Sequence, residues 1–264
     1  EYNKKIKDHY DAVAKKEKDS ASSTMADDTI RKLETQYIID TIESYINEDN
    51  NKSKIYSLID VGCGNGYTLE CLNASRNDLQ LTGLELNDSL RELAVKRFNT
   101  TKVEIKGGDI RDFDSLANLS PDILICQRVL INLLDIDDQI QAFHNLVKTV
   151  SSGGLIIFIE SFEKGLSLLN EARGEFGIKA LEPAHHNKYL PEKFFNHPNL
   201  SVYDDSHEYI LSKHYFVTRV LHEFFILKTG NKFERNSHFV NFFTNSLGIS
   251  GQYNPLRLIT FKKI

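Results

Sequence analysis

Leu58-Ile59-Asp60-Val61-Gly62-Cys63-Gly64-Asn65-Gly66-Tyr67 decides the fold. A hydrophobic run enters a turn with glycine at alternate positions and leaves into a helical pattern. That order predicts a strand, a tight loop and a helix. Glycines there let the backbone bend sharply and let a ligand approach main-chain atoms that a Cβ would block. A bound group would sit at the carboxyl edge of the sheet, beside a helix N-terminus. The pattern fails as a dinucleotide fingerprint, because the third glycine position counted from Gly62 falls on Tyr67. No lysine lies in the loop, so it is not a Walker phosphate loop either. Asp60 ahead of the first glycine would repel a pyrophosphate and suits a ligand bearing an ammonium group.

Outward from the loop, short apolar runs alternate with amphipathic stretches. The runs are Tyr56–Val61, Leu79–Leu86, Val103–Ile105, Ile123–Cys126 and Leu155–Ile159. Helices are predicted at Tyr67–Leu72, Ser89–Phe98 and Asp137–Val150, the last with Ile136, Ile140, Phe143, Val147 and Val150 on one face. This alternation implies a mostly parallel sheet with helices on both faces, an α/β Rossmann-like architecture. Residues 1–50 read as an N-terminal helical lid, with Ile30, Leu33, Tyr37, Ile38, Ile42, Tyr45 and Ile46 as its apolar face and Asp27 or Asp28 as a cap. Residues 51–161 form the core, 162–235 an insertion over the open end of the sheet, and 236–264 the closing strand, centred on Leu256–Phe261.

Glu85 ends the second strand about 20 residues beyond the glycines, where a carboxylate can accept from both ribose hydroxyls. Asp109, after Gly107-Gly108, can accept from an adenine amino group while Ile110 packs on the ring. S-adenosylmethionine (SAM) carries an ammonium, a sulfonium and no phosphate, and so suits this set. The order Asp60-x-Gly62-x-Gly64-x-Gly66, Glu85, Gly108-Asp109-Ile110, Asp122–Gln127 and Gly153-Gly154 resembles the class I SAM-dependent methyltransferases over residues 55–160. The resemblance implies seven strands with the last antiparallel, and SAM as cofactor with S-adenosylhomocysteine as product. Its implied contacts are Asp60, Gly62, Cys63, Gly64, Gly66, Glu85, Leu86, Asp109, Ile110 and Gln127. Arg31 can pair with the methionine carboxylate through a bidentate fork, or stand as an exposed helix arginine beside Glu34.

Methyl acceptors can be sorted at the position after the fourth strand. Gln127-Arg128-Val129-Leu130 lacks the Asn/Asp-Pro-Pro-aromatic of amino-directed DNA methyltransferases, and Cys126 lacks the proline before a cytosine nucleophile. Gln127 and Glu160-Ser161 stand where catechol-type enzymes carry metal-binding carboxylates, so no metal is expected. Residues 127–134 with His186-Asn187-Lys188-Tyr189-Leu190 are similar to bacterial methyltransferases of capsule and O-antigen pathways. That resemblance implies O-methylation of a sugar, nucleotide-sugar or phosphate/phosphoramidate-type group, with Arg128, Asn187 and Tyr189 toward the substrate. N-methylation of an amino sugar or natural-product amine is the alternative, and a SAM-binding accessory subunit the non-enzymatic one. A hydroxyl acceptor profits from a general base, with His186 or His185 the first candidates and Glu160 and Glu163 behind them. Tyr10 and Tyr37 could line the lid.

Composition narrows the partners. The chain has 264 residues and a net charge of −5, which disfavours nucleic acid and anionic lipid. No apolar run approaches the ~20 residues that span a bilayer. The three cysteines, Cys63, Cys71 and Cys126, form no CxxC pair and read as buried thiols of a cytoplasmic protein without a leader segment. The stripe Tyr209, Tyr215, Phe216, Phe224 and Phe225 reads as core; any face left exposed could support a homodimer or the pocket for a small-molecule acceptor.

Overall fold

The computed structural model describes residues 10–12, 27–49, 53–231, 234, 237–248 and 251–264. In chain order its elements are α1 (Asp28–Glu48), β1 (Tyr56–Val61), α2 (Tyr67–Ser75), β2 (Leu79–Glu85), α3 (Asp88–Arg97), β3 (Glu104–Gly107), β4 (Ile123–Gln127) and α4 (Ile136–Thr149). There follow β5 (Leu155–Ser161), α5 (Glu163–Glu175), β6 (Leu200–Asp204), α6 (Ser212–Phe216), α7 (His222–Thr229), α8 (His238–Ser246) and β7 (Leu256–Lys263). A π-turn at Val217–Leu221 joins α6 to α7.

The seven strands lie in the order β3-β2-β1-β4-β5-β7-β6, and β7 runs antiparallel to both neighbours. Strand order reverses between β1 and β4, which opens a crevice at their carboxyl ends. The expected seven-stranded, mostly parallel Rossmann-like sheet is therefore present. β5 is buried along its whole length, as a central strand covered on two faces should be.

One face is covered by α1, whose Ile30, Tyr37, Ile38, Ile42 and Ile46 pack with Leu58, Ile125, Ile157 and Leu258. This helix is a structural layer rather than a lid, because its apolar stripe finds the sheet. Within the span 1–50, residues 1–9 and 13–26 fall outside the described residues. The opposite face is covered by α4 through Phe143, Leu146, Val147 and Val150, against Leu124, Cys126, Ile156 and Phe158. Ile140, expected on that face, is 40% exposed, because Gln139 takes the inward position to bind loop carbonyls.

Three further departures bear on organisation. β6 lies within residues 162–235, read as an insertion, yet it pairs with β7 as the sheet's edge. Residues 236–264 hold α8 before the closing strand. The aromatic stripe is only partly core: Phe225 is exposed, as are Leu227 and Phe242 nearby. Cys63 and Cys126 are buried free thiols, whereas Cys71 is half-buried. Among the described residues no helix is long and apolar enough to cross a membrane.

Candidate active site

The site grows from the bend between β1 and α2. Gly62, Gly64 and Gly66 have φ of +67°, +57° and +81°. A Cβ at Gly62 would stand 2.4 Å from Val129 Cγ2, and one at Gly66 would stand 2.6 Å from Phe98 Cε2. Both positions need glycine for space as well as for conformation. The loop's own amides are already used. Gly62 and Cys63 N–H donate to Leu84 O at 2.7 and 3.1 Å, and Gly66 N–H donates to Cys63 O at 2.9 Å. Gly64 N–H donates to Glu85 Oε2 at 2.8 Å. A phosphate-binding loop aims such N–H groups at its ligand. Here these four have nothing left to donate, and acceptors remain for a cation.

Asp60 is buried beneath the loop, and among the described residues no hydrogen bond reaches its carboxylate. Burial pushes it up to about 7, against the pull of Arg31; Glu85 adds to the rise and Arg128 opposes it. Arg31 is 4% exposed, not the exposed helix arginine weighed above, because α1 lies on the sheet and turns this side chain over the loop. Its Nη1 donates to Gln127 Oε1 at 3.2 Å and its Nη2 to Thr68 Oγ1 at 3.4 Å, and its guanidinium lies 4.7 Å from the Tyr67 ring centroid. Among the described residues its buried Nε has no hydrogen-bond partner. A carboxylate and an orphaned guanidinium nitrogen, near enough for each charge to act on the other, fit the ammonium and carboxylate of an amino acid moiety. The residues thus fit the cofactor that the motif implies.

This pairing has a pH consequence. An ammonium beside Asp60 favours its ionised form, so binding should release a proton wherever free Asp60 is protonated. Cofactor affinity should therefore rise by up to ~10-fold per pH unit on approaching pH 7 from below. Calorimetric titration at pH 6 in two buffers of different ionisation heat should register net proton release. Release of none would remove Asp60 from the ammonium site.

Glu85 is buried at the end of β2, with Oε1 accepting from Asn87 N–H at 2.7 Å in addition to the Gly64 bond. Leu86 beside it is 56% exposed, available to cover a ligand face. Cys63 turns its Sγ toward Gly83, with a long contact to Gly64 O at 3.9 Å. Asp109 differs from the expectation of a carboxylate waiting for adenine. Both its oxygens are taken by Arg111, with Oδ2 to Nη2 at 2.6 Å, and Arg111 continues to Asp138 at 3.0 Å. Ile110 is buried in the core with Leu84 and Leu116.

The turn after β4 closes the site's far wall. Gln127 Nε2 donates to Glu34 Oε2 at 2.9 Å, and its Oε1 accepts from Thr68 Oγ1 at 3.1 Å as well as from Arg31. Arg128 pairs with Glu34 Oε1 and has a φ of 57°, the one positive value at a non-glycine among the described residues. Glu34 and Thr68 were missed in the sequence; the spacing of Glu34 three residues after Arg31, on one helix face, was the available signal. Glu160, weighed as a base, is buried beneath the turn and accepts the N–H groups of Val129, Leu130 and Ile131 at 2.8, 3.0 and 3.3 Å. Burial pushes it up to about 7 even so. It cannot serve as a base toward an acceptor. Glu163 is exposed at the start of α5.

Across from the turn, Tyr10 accepts from Asn132 Nδ2 at 2.6 Å, and Asp11 accepts from Asn87 Nδ2 and Ser89 Oγ at 2.9 Å each. Residues 10–12 thus bridge the turns after β2 and β4, where a cover belongs. The His186 ring lies 6.3 Å from that of Tyr10, whereas His185 is exposed and stacks edge-on with His186 at 5.0 Å. Asn187 and Tyr189 are half-buried on the same segment. Backbone bonds from Lys188 N–H to Ile131 O at 2.7 Å and from Leu190 N–H to Ser161 O at 2.8 Å stitch it over the carboxyl ends of β4 and β5. Among the described residues no group of three or more His, Cys, Asp or Glu is arranged to hold a metal. Tyr37, weighed for the lid, instead packs in the core under α1.

Residues 59–158 match the family model described as a methyltransferase domain. Over 118 residues the chain is 31% identical to dTDP-4-amino-2,3,4,6-tetradeoxy-D-glucose N,N-dimethyltransferase of Saccharopolyspora spinosa, a stretch covering 41% of this chain and 45% of that protein. The match therefore spans less than half of that curated relative. Magnesium protoporphyrin IX methyltransferase from Synechocystis PCC 6803, solved with bound SAH, shares the fold at a TM-score of 0.54 and 13% identity over 97% of this chain and 94% of that one. A S-adenosylmethionine-dependent methyltransferase from Clostridium acetobutylicum ATCC 824 does so at 0.54 and 14%, covering 88% and 91%.

Proposed function

We propose that this chain is a SAM-dependent methyltransferase whose acceptor is the amino group of a nucleotide-linked amino sugar. The observation that carries the cofactor assignment is the glycine loop with its amides spent internally, set beside the bare Asp60 carboxylate and the orphaned Arg31 Nε. The acceptor class rests on the matched stretch of the Saccharopolyspora spinosa amino-sugar enzyme. It takes the amino-sugar alternative raised by the sequence in place of the sugar hydroxyl expected first.

Bound in the crevice, SAM supplies an electrophilic methyl group on a sulfonium. The chain's own task is orientation and proton removal. Asp60, Arg31 and Glu85 fix the cofactor, and the Gln127–Arg128 turn sets the acceptor's approach. In-line alignment of this kind can account for up to ~7–11 kcal/mol of barrier lowering in the best oriented reactions. An amine attacks only as its neutral form. His186, whose ring lies 6.3 Å from that of Tyr10, would take the ammonium proton, a role suited to an imidazole. Residues 10–12 and 184–190 would exclude water above it.

The test is to incubate the protein with SAM and either a dTDP-linked amino sugar or its hydroxyl analogue, with mass spectrometry of the products. Methyl should appear on nitrogen. Transfer to the hydroxyl analogue alone would restore O-methylation, and cofactor binding without transfer to either acceptor would favour an accessory subunit.

A further inference from the structure

Glu160 lies beneath the turn that follows β4. It is fully buried at the end of β5, yet one of its oxygens accepts two successive amides, Val129 at 2.8 Å and Leu130 at 3.0 Å, while the other accepts Ile131 at 3.3 Å. Cys126 Sγ adds a fourth donor at 3.5 Å. A carboxylate is the side chain best able to meet three converging N–H groups, because it offers about four acceptor sites and no donor. The bonded residues form the start of the single helical turn at Leu130–Asn132.

The consequence reaches the reacting centre in two ways. Just before the anchored amides stands Arg128, in the left-handed region at φ 57°, a conformation that persists only when its surroundings enforce it. The enforcing bonds are Glu160 on its following side and Arg128 N–H to Ile159 O at 2.8 Å on its own. Val129, held by the first amide, fills the space above Gly62 where a Cβ would stand 2.4 Å from its Cγ2. One buried carboxylate thus fixes the turn against the cofactor loop and aims Arg128 toward Glu34.

We propose that Glu160 is a positioning residue that holds the Gln127–Val129 turn at the point of methyl transfer, without touching cofactor or acceptor itself. The role in turnover rests on the methyltransferase reading; the anchoring does not. Glu160→Gln keeps the shape but leaves one good acceptor oxygen and sets an NH2 against an amide. In the full chain, amide exchange followed by NMR should show the protection of at least one of Val129, Leu130 and Ile131 falling ~10-fold or more, the equivalent of one lost hydrogen bond. With the amino-sugar acceptor, kcat should fall ~30-fold or more while KM for SAM and for the acceptor moves less than ~3-fold, the pattern of an interaction made only in the transition state.

Val129→Ala, which leaves Glu160 and its bonds in place, should lower kcat in the same sense and serves if Glu160→Gln folds poorly. Unchanged protection in Glu160→Gln, or a raised KM with kcat intact, overturns the proposal. Absence of turnover in the unmodified protein would instead sink the methyltransferase reading, and the exchange measurement would still decide the anchor.

Discussion

Replacing Glu85 with alanine is expected to weaken SAM binding at least ~100-fold, about 2.7 kcal/mol, measured by calorimetric titration. The size follows from two tasks carried by one buried carboxylate. Its oxygens hold the amides of Gly64 and Asn87 at 2.8 and 2.7 Å, which fixes both the glycine loop and the turn into α3. Hydrogen bonds to a charged group contribute ~1.5–3 kcal/mol each, and their loss leaves buried donors unmet. The same oxygens keep lone pairs for ribose hydroxyls, so the ligand loses acceptors as well as a preformed loop. Stability of the free protein should fall as well, by less than the two lost bonds alone would cost. Glu85 helps to push Asp60 up, and its removal relieves that repulsion. Glu85→Gln should lie between the two, since one carbonyl oxygen can still accept. Binding by Glu85→Ala within ~3-fold of the unmodified protein, about 0.7 kcal/mol, would show that the carboxylate is not part of the site.

Much of this site is legible in the chain because its logic is local. The glycines at 62, 64 and 66 announce a bend that only glycine adopts with ease, and all three take positive φ. Asp60 and Glu85 end strands whose apolar runs are plain, so their place at the sheet edge follows from period alone. What stays hidden depends on partners far along the chain. Glu34 reads as a helix surface residue until α1 lies across the sheet and brings it to Gln127, 93 positions away. Glu160 reads as a candidate base because a carboxylate at the end of β5 points toward the crevice. Its chemistry is decided by the turn at 129–131 folding onto it, which no spacing reveals. The pairing of Asp109 is hidden for a nearer reason: Arg111 stands two residues on, and only the loop's conformation makes it a bidentate partner rather than a solvated neighbour. β6 falls inside the span read as an insertion because a strand-like run of five residues, exposed at Ser201 and Val202, does not show from its own sequence that it pairs with the closing strand.

Asp27→Ala should cost about 3–5 kcal/mol of stability, the range for breaking a buried ion pair, although Asp27 lies outside the crevice. Asp27 is the N-cap of α1, accepting Ile30 N–H at 3.3 Å, and caps alone are worth ~0.5–2 kcal/mol. It also receives His214 Nε2 at 3.1 Å to both oxygens and Arg219 Nη1 at 3.2 Å. Burial raises this carboxyl, but the His214 hydrogen bond and the charges of His214 and Arg219 outweigh it and hold it far below the usual range. The stability it lends is therefore present above the ordinary carboxylate pKa and is lost as pH falls toward the lowered one. For a chain of this size the loss corresponds to a fall in Tm of about 10 °C, at roughly 2–4 °C per kcal/mol, readable by circular dichroism. Asp27→Asn separates the causes, since asparagine caps as well as aspartate but carries no charge. It should retain the helix start and lose the pairing with Arg219, falling between alanine and the unmodified protein. The effect should also reach the ligand, because Arg31 and Glu34 sit one turn and two turns beyond this cap. If alanine shifts Tm by less than ~2 °C, the clamp joining α1 to α6 contributes little, and the position of Arg31 must be fixed by Gln127 and Thr68 alone.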